Sequence, residues 1–430
     1  MKAVYIISEF NPFHNGHEYI IKKSKELTGA DFCICLMSGD YVQRGAPAIL
    51  DKYARARMAL KGGADMIITL PTAISLSPAD DFASGAISMI KSLGVEGYLA
   101  FGAECDDIGK LKRALDIMTR KPGDYENVLR ASLKQGLSYP AASQRAYESV
   151  CGADIKDIPS SPNNILALSY LKALNEDKDI TPVCIRRKGQ AHNDRDTCKY
   201  GDACEYGDDA SYLSSTSLRG LLLCERSDTD AVLRNALPDE SYEILSHYVN
   251  QSSGQSPDAF ISEDDFSIIL RQSITRLSYY LGENAFIPYT ENNAQLARRI
   301  YNLREDAVSF TGFRDAIKNK SVTSSAISRT LMRIALNIDD SVIKAAKDSN
   351  LMYARIVGVR KTSQAMIPNI VRSSDIPVIV NLSKDAYSLT SDRRILFDSD
   401  MLCEDIYRSV VSVKCKKTLP NQYEQRLVVV

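Results

Sequence analysis

Two histidines three residues apart, in a chain that holds only four, have the type and spacing to do chemistry: His14-Asn-Gly-His17. They follow an apolar run and precede a helical pattern, so both imidazoles and a row of free backbone N–H groups fall at one helix N-terminus, a natural anion site. Imidazole donors at that point can neutralise charge developing on an α-phosphate and on a leaving pyrophosphate, and the helix dipole favours the same anion. No covalent protein nucleophile is needed. Gly16 would let backbone come close to a ligand. The plain alternative is a helix start that carries two polar rings. A second element, Ser214-Ser-Thr-Ser-Leu-Arg219, joins hydroxyls able to cap a helix to an arginine one turn in, a set suited to the outer phosphates of a nucleoside triphosphate. Ordinary N-capping would use Ser214, Ser215 and Thr216 equally well.

Such residues must be held by regular elements. Short apolar runs at 3–7, 32–37, 66–70, 98–101 and 183–185 alternate with helical patterns, which predicts an α/β fold with a Rossmann-like, doubly wound parallel sheet. Between the first two runs, residues 18–27 place Ile20, Ile21, Ser24 and Leu27 on one helical face, with Gly29 as the stop. Ligands of open sheets collect beyond the carboxyl ends of the strands. Asp40, Gln43 and Arg44 follow the second strand there, with Asp51, Lys52 and Arg55 close behind. Contacts to a small substrate and a salt-bridged loop both fit this group. A Ser/Gly/Gln/Pro-rich stretch, Val249-Asn-Gln-Ser-Ser-Gly-Gln-Ser-Pro257, reads as a linker. Residues 265–338 are mostly helical in pattern, and strand-like runs at 353–359, 377–380 and 410–413 suggest a small α/β C-terminal part. The expected division is therefore a catalytic domain over 1–225, a helical region over 226–349 and the C-terminal appendage over 350–430.

The chain has 430 residues, 44% apolar and 25% charged, which is too long for one compact core. A net charge of −1 excludes a global field for nucleic acid or membrane, so any basic surface must be local. Between 296 and 333 eight Lys/Arg stand against three Asp/Glu. Within that segment Lys318-Asn-Lys-Ser-Val-Thr-Ser-Ser-Ala-Ile-Ser-Arg329 brings cations and hydroxyls to an expected helix start, which fits a phosphate-backbone site or a solvated helix face. The ten cysteines form no Cys-x-x-Cys pair and read as reduced, mostly buried thiols. No apolar run reaches membrane-spanning length, and the N-terminus enters a strand without a small-residue cleavage site, so a cytoplasmic protein is expected. No all-protein metal cage is visible, and no residue is put forward as a metal ligand.

Together the histidine motif and the Ser214-to-Arg219 element resemble the signature of the HxGH nucleotidylyl-transferase superfamily, whose members attack the α-phosphate and release pyrophosphate. Four motifs sharpen the likeness: Glu9-Phe-Asn-Pro-Phe-His-Asn-Gly-His17, Met37-Ser-Gly-Asp-Tyr-Val-Gln-Arg-Gly-Ala-Pro47, Phe101-Gly-Ala-Glu104 and Ser161-Pro-Asn-Asn-Ile-Leu166. In combination they resemble the tRNA(Met) cytidine acetate ligase family, most clearly over residues 1–219. That resemblance implies the HxGH nucleotidyltransferase type of sheet, ATP with Mg2+ as cofactors, acetate and elongator tRNA(Met) as partners, and no protein partner. Acetate would be activated as acetyl-adenylate and passed to N4 of the wobble cytidine, with AMP and pyrophosphate released.

Residue by residue, the resemblance makes His14 and His17 catalytic. It draws ATP contacts from Ile7, Ser8, Glu9, Phe10, Asn11, Pro12, Phe13, His14, Asn15, Gly16, His17, Glu18, Tyr19 and Ile20. Further contacts would come from Gly102, Asn163, Arg187, Ser214, Ser215, Thr216 and Arg219, and RNA contacts from Lys318, Lys320 and Arg329. Gly102 would let the nucleotide lie against backbone, Asn163 offers donor and acceptor edges, and Arg187 supplies a phosphate fork. Asn164 and Arg186 are the neighbours most easily mistaken for the last two. Two positions depart from the family pattern. Asp40 stands where Asn or His is usual, and would repel acetate or ATP unless Arg44 pairs with it; Ala191-His-Asn-Asp194 shifts His192 by one residue from a Tyr-His-Asp run. Two other readings remain: a small-molecule adenylyltransferase or pantothenate-synthetase-like ligase, and a non-catalytic RNA-binding homologue. The long segment beyond the core opposes the first, and intact His14, Gly16 and His17 oppose the second.

Overall fold

The computed structural model describes residues 2–175, 177–188, 210–224, 229–251, 259–319, 322–416 and 418–430. Its strands are β1 Ala3–Ser8, β2 Phe32–Ser38, β3 Tyr41–Val42, β4 Ala46–Pro47, β5 Met66–Leu70, β6 Gly97–Ala103, β7 Ile180–Arg186, β8 Ala354–Val359, β9 Val378–Ile379 and β10 Val428–Val429. The main sheet runs β10-β8-β5-β2-β1-β6-β7, with β9 beside β8, while β3 and β4 form a separate hairpin. From β5 to β7 every pairing is parallel, and β8 joins β5 antiparallel. The chain winds outward from β1 through β2 and β5, then returns to place β6 and β7 on the other side. The carboxyl ends of β1 and β6 therefore flank the topological switch point, the crevice where open sheets bind ligands.

Period-two alternation explains why both faces are covered. Ala3, Tyr5, Ile34, Leu36, Met66 and Ile68 point into one apolar cluster, and Val4, Ile6, Cys33, Cys35, Met37 and Ile67 into the other. All five expected runs of the first half are strands, each with the expected residues inside it. Helix α1, Asn15–Thr28, begins earlier than the pattern suggested and ends at Gly29, whose φ of 60° is left-handed. Only part of its expected face is buried. Ile21 and Ser24 are inside, whereas Leu27 is 55% exposed because the last turn runs past the edge of the core.

The tail is tied to the same sheet. β8, β9 and β10 extend it beyond β5, so the C-terminal α/β part supplies strands to the main sheet. Residues 410–413, expected as a strand, lie in the helix Ser391–Lys414. Cys403, Tyr407, Val410 and Val411 are all buried along it, and that helical spacing outweighs the β-propensity of the valines. Residues 265–338 are helical as expected, with Ser267–Leu281, Ala294–Asn302, Phe310–Ile317 and Ser324–Leu336 as the main segments. Of the expected linker, Val249, Asn250 and Gln251 finish the helix Asp239–Gln251, and 252–258 lie outside the described residues. Among the eight described cysteines, all free, Cys33, Cys35, Cys403 and Cys415 are buried and four are half-buried. No described helix is long and apolar enough to cross a membrane.

Candidate active site

Ile7 and Ser8 end β1, Glu9 to Phe13 form the loop beyond it, and Asn15 to Ile20 make the first turns of α1. His14 is the N-cap of that helix. Its Nδ1 accepts the Gly16 backbone N–H at 3.0 Å, and His17 Nδ1 accepts the His14 N–H at 3.3 Å, so the motif is a capping box built from imidazoles. With both Nδ1 atoms accepting, each neutral ring carries its proton on Nε2. The rings lie face to face, centroids 3.8 Å apart and tilted 31°. Gly16 has a local reason: a Cβ there would stand 2.8 Å from His14 Cε1, so any side chain would push the imidazole away. Phe10 and Phe13 wall in His17 at 5.0 and 5.6 Å between ring centroids. Burial, then the charges of Arg187 and Arg219, pull the His14 pKa down to about 3. Burial, then His14 and Arg187, lower that of His17. Both rings are neutral N–H donors at pH 7, in surroundings dry enough for such donors to count.

Opposite them, at the ends of β6 and β7, Arg187 is held from three sides. Its backbone N–H donates to the Ala103 carbonyl at 3.1 Å, its stem passes over Gly102, and its guanidinium donates to Asn163 Oδ1 at 2.9 Å. A Cβ on Gly102 would meet Ile20 Cδ1 at 2.8 Å and Arg187 Cγ at 3.2 Å, so this glycine makes room for protein side chains. Asn163 and Asn164 open the helix Pro162–Leu174 and divide the work. Buried Asn164 accepts the backbone N–H groups of Glu104 and Cys105, whereas half-buried Asn163 reaches Arg187 and donates to Glu104 Oε1 at 2.6 Å. Glu104 was visible as a motif residue but had no sequence signal for this contact. Lys188, whose Nζ lies 4.4 Å from the Tyr19 ring centroid, belongs to none of the sequence motifs.

Arg219 brings the second motif to the first across 208 residues, donating to the Asn11 carbonyl at 2.8 Å and to Thr216 Oγ1 at 3.2 Å. Ser214 caps the helix Ser215–Leu222 through the Ser217 N–H, so the ordinary capping reading of that serine holds beside any ligand role. Asn15 spends its amide on the carbonyls of Ser211 and Asn235, tying α1 to the segment that carries Arg219. Asn11 is fully buried; its Oδ1 accepts the Ile49 N–H, and its Nδ2 has no partner. Glu9 Oε1 accepts the Gln43 N–H at 2.9 Å, joining the histidine loop to the β3–β4 hairpin.

Of the charged group after β2, Asp40, Lys52 and Arg55 are buried, whereas Arg44 is exposed. Asp40 is held by the Lys52 N–H and ammonium, each at 2.8 Å, so its charge is met without calling on Arg44. Lys52 also meets Glu404 at 3.1 Å, and Glu404 receives Arg355 at 2.7 Å. Burial alone would lower the Lys52 pKa, but Asp40 and Glu404 outweigh it and raise it. This paired carboxylate is therefore no threat to an anionic ligand. Arg55, fully buried, donates to the carbonyls of Glu9, Ser38, Gly39 and Leu50, so it clamps the loops after β1 and β2 together. Asp51 caps helix α2, Lys52–Lys61.

Of the expected RNA contacts, Lys318 is exposed at the end of the helix Phe310–Ile317. Arg329 is half-buried and donates to the Gln43 carbonyl at 3.3 Å; Lys320 and His192 lie outside the described residues. Several other cations of the segment are engaged: Arg333 is buried on the Leu76 carbonyl and Glu291, and Arg299 caps the carbonyls of Ala316 and Ile317.

Two neutral imidazole donors, a helix N-terminus, two guanidinium groups and an unsatisfied buried amide thus converge at the switch point, which fits a nucleoside triphosphate. No cluster of three or more His, Cys, Asp or Glu among the described residues could hold a metal by itself. The chain matches the HIGH Nucleotidyl Transferase family over residues 1–422. It is 30% identical to the tRNA(Met) cytidine acetate ligase of Acetivibrio thermocellus over 434 aligned positions covering both chains fully. It is 34% identical to that of Clostridium kluyveri over 395, covering 90% of this chain and 91% of the relative. In fold it is similar along its whole length to Thermotoga maritima TmcAL, with TM-score 0.82 at 25% identity for the apo form. The form bound with alpha-thio ATP gives 0.79 at 24%, again over both full chains. The architecture, the histidine capping box and these full-length matches together make the chain a member of the tRNA(Met) cytidine acetate ligase family of HIGH nucleotidyl transferases.

Proposed function

We propose that this chain is a cytoplasmic, AMP-forming ligase that uses ATP to activate acetate and acetylates N4 of the wobble cytidine of elongator tRNA(Met). The observation that carries this reading is the pair of neutral, stacked imidazoles at the N-terminus of α1, flanked by Arg187 and Arg219. An acetate oxygen attacks the α-phosphorus, the bond to the β-phosphate breaks, and pyrophosphate leaves. His14 and His17 donate through Nε2–H to the charge that develops there, while Arg187 and Arg219 hold the flanking phosphates. N4 of cytidine then attacks the acyl carbon, AMP departs with the bonding electron pair, and N4 gives up a proton. Mg2+ would accompany the nucleotide and supply neutralisation of phosphate charge. Exposed Lys318 of the helical region, with Lys320 two residues on in sequence, meets the tRNA backbone.

The test is to incubate the protein with ATP, Mg2+, labelled acetate and elongator tRNA(Met), digest the RNA and look for labelled cytidine. All four components are required together, because acetate is a poor electrophile until it is joined to AMP. Label arriving from acetyl-CoA without ATP, or ATP consumed with a small amine or phosphate ester and never with tRNA, would overturn the reading.

A further inference from the structure

Glu104 sits behind the candidate site without touching the histidines. Its Oε1 accepts Asn163 Nδ2 at 2.6 Å, and Asn163 Oδ1 accepts Arg187 NH1 at 2.9 Å, so carboxylate, amide and guanidinium form a chain of three. The amide can pass on orientation only one way round. With Nδ2 given to Glu104, Oδ1 is turned toward Arg187; an amide free to flip would present two donors to a cation that cannot accept. The backbone beneath is fixed separately, since Asn164 Oδ1 takes the N–H groups of Glu104 and Cys105 at 3.1 and 3.0 Å. The side-chain chain is therefore not needed to hold the loop. Glu104 also leaves its Oε2 buried with no hydrogen-bond partner, an arrangement that costs free energy in the fold.

From this geometry we infer that Glu104 is a positioning residue for ATP, setting the Asn163 amide so that the Arg187 guanidinium is pre-aimed at the phosphates. The inference rests on the ligase reading only in taking ATP as the anion that Arg187 meets. Arg187 carries four rotatable side-chain bonds, and fixing it before binding removes an ordering cost from the binding step. Glu104 acts through another residue, so its effect exists only while Arg187 is present.

The experiment is a double-mutant cycle on the full chain, with ATP dissociation constants and melting temperatures measured for each variant. Wild type is titrated first, and failure of wild type to bind ATP would count against the ligase reading, not against the relay. Glu104→Ala is expected to weaken ATP about tenfold, while Glu104→Gln, which keeps an acceptor for Asn163 Nδ2, stays within about threefold of wild type and melts no lower. In an Arg187→Ala background, Glu104→Ala should change the affinity by less than about twofold. Full additivity of the two losses, or Glu104→Gln as weak as Glu104→Ala, would overturn the relay.

Discussion

Replacing His17 by alanine separates catalysis from folding. The substitution removes the bond from the His14 N–H to His17 Nδ1, the ring stacked at 3.8 Å on His14, and the edge contacts with Phe10 and Phe13. A lost helix cap is worth about 1 kcal/mol and the lost ring contacts about as much again, so stability should fall by about 2 kcal/mol. Starting even from about 5 kcal/mol, the low end for folded proteins, the variant stays roughly 99% folded. Its chemistry should suffer far more, since removing one preorganised donor from a charge-stabilising site slows the reaction by about 10² to 10³. The assay is acetate-dependent exchange of labelled pyrophosphate into ATP, run beside urea denaturation. His17→Asn is the control. Its Oδ1 can take the place of Nδ1 and accept the His14 N–H, but nothing replaces the ring contacts or the Nε2–H donor, so about half of the lost stability, roughly 1 kcal/mol, should return while exchange stays low. Exchange within tenfold of wild type in the alanine variant, or exchange restored by asparagine, would refute the role given to Nε2.

Gly16→Ala should also slow exchange by about tenfold or more, because its Cβ would stand 2.8 Å from His14 Cε1 and displace the imidazole; normal exchange would return Gly16 to a passive helix position. Lys52→Met leaves Asp40 and Glu404 buried without their shared cation and should lower the unfolding free energy by about 3–5 kcal/mol, measured in urea, with a loss below 1 kcal/mol counting against the network. The histidines predict acid sensitivity. Their folded pKa values lie below the ordinary 6.5, so they contribute nothing above that pH, and below it the unfolded state alone takes up protons. Stability should then fall by at most about 1.4 kcal/mol per pH unit for each ring. Asp400, raised by burial to about 6, works the other way: its contribution grows as the pH falls through 6 and offsets part of the loss. A His14→Gln, His17→Asn double variant should flatten the slope between pH 6.5 and 5, and an unchanged slope would assign it elsewhere. Reversing Lys318 and Lys320 to Glu should weaken tRNA binding in a salt-dependent way and leave ATP affinity alone, and equal tRNA affinity at low salt would mark a solvated face.

What the sequence determined by itself was local. Short apolar runs identified the strands of the first half, Gly29 marked the end of α1, and the spacing of His14 and His17 placed two rings on one helix start, because each depends on residues within a turn or a strand of one another. The resemblance carried by the four motifs gave the family, and the full-length matches bear it out. Where local cues conflicted, tertiary packing decided: Val410 and Val411 favour a strand by type but are helical because their face, shared with Cys403 and Tyr407, is buried. The partners of the charged residues could not be read at all. Asp40 had only Arg44, four residues away, as a suggested neutraliser; it meets Lys52 and through it Glu404 and Arg355, which arrive from the far end of the chain. Likewise Arg219 reaches Asn11 across 208 residues, and Glu104 finds Asn163 only because β6 and the helix Pro162–Leu174 share a sheet edge. Charges act through space, so their partners, and the neutrality of the two histidines, are fixed only when the sheet has closed and water has left the site.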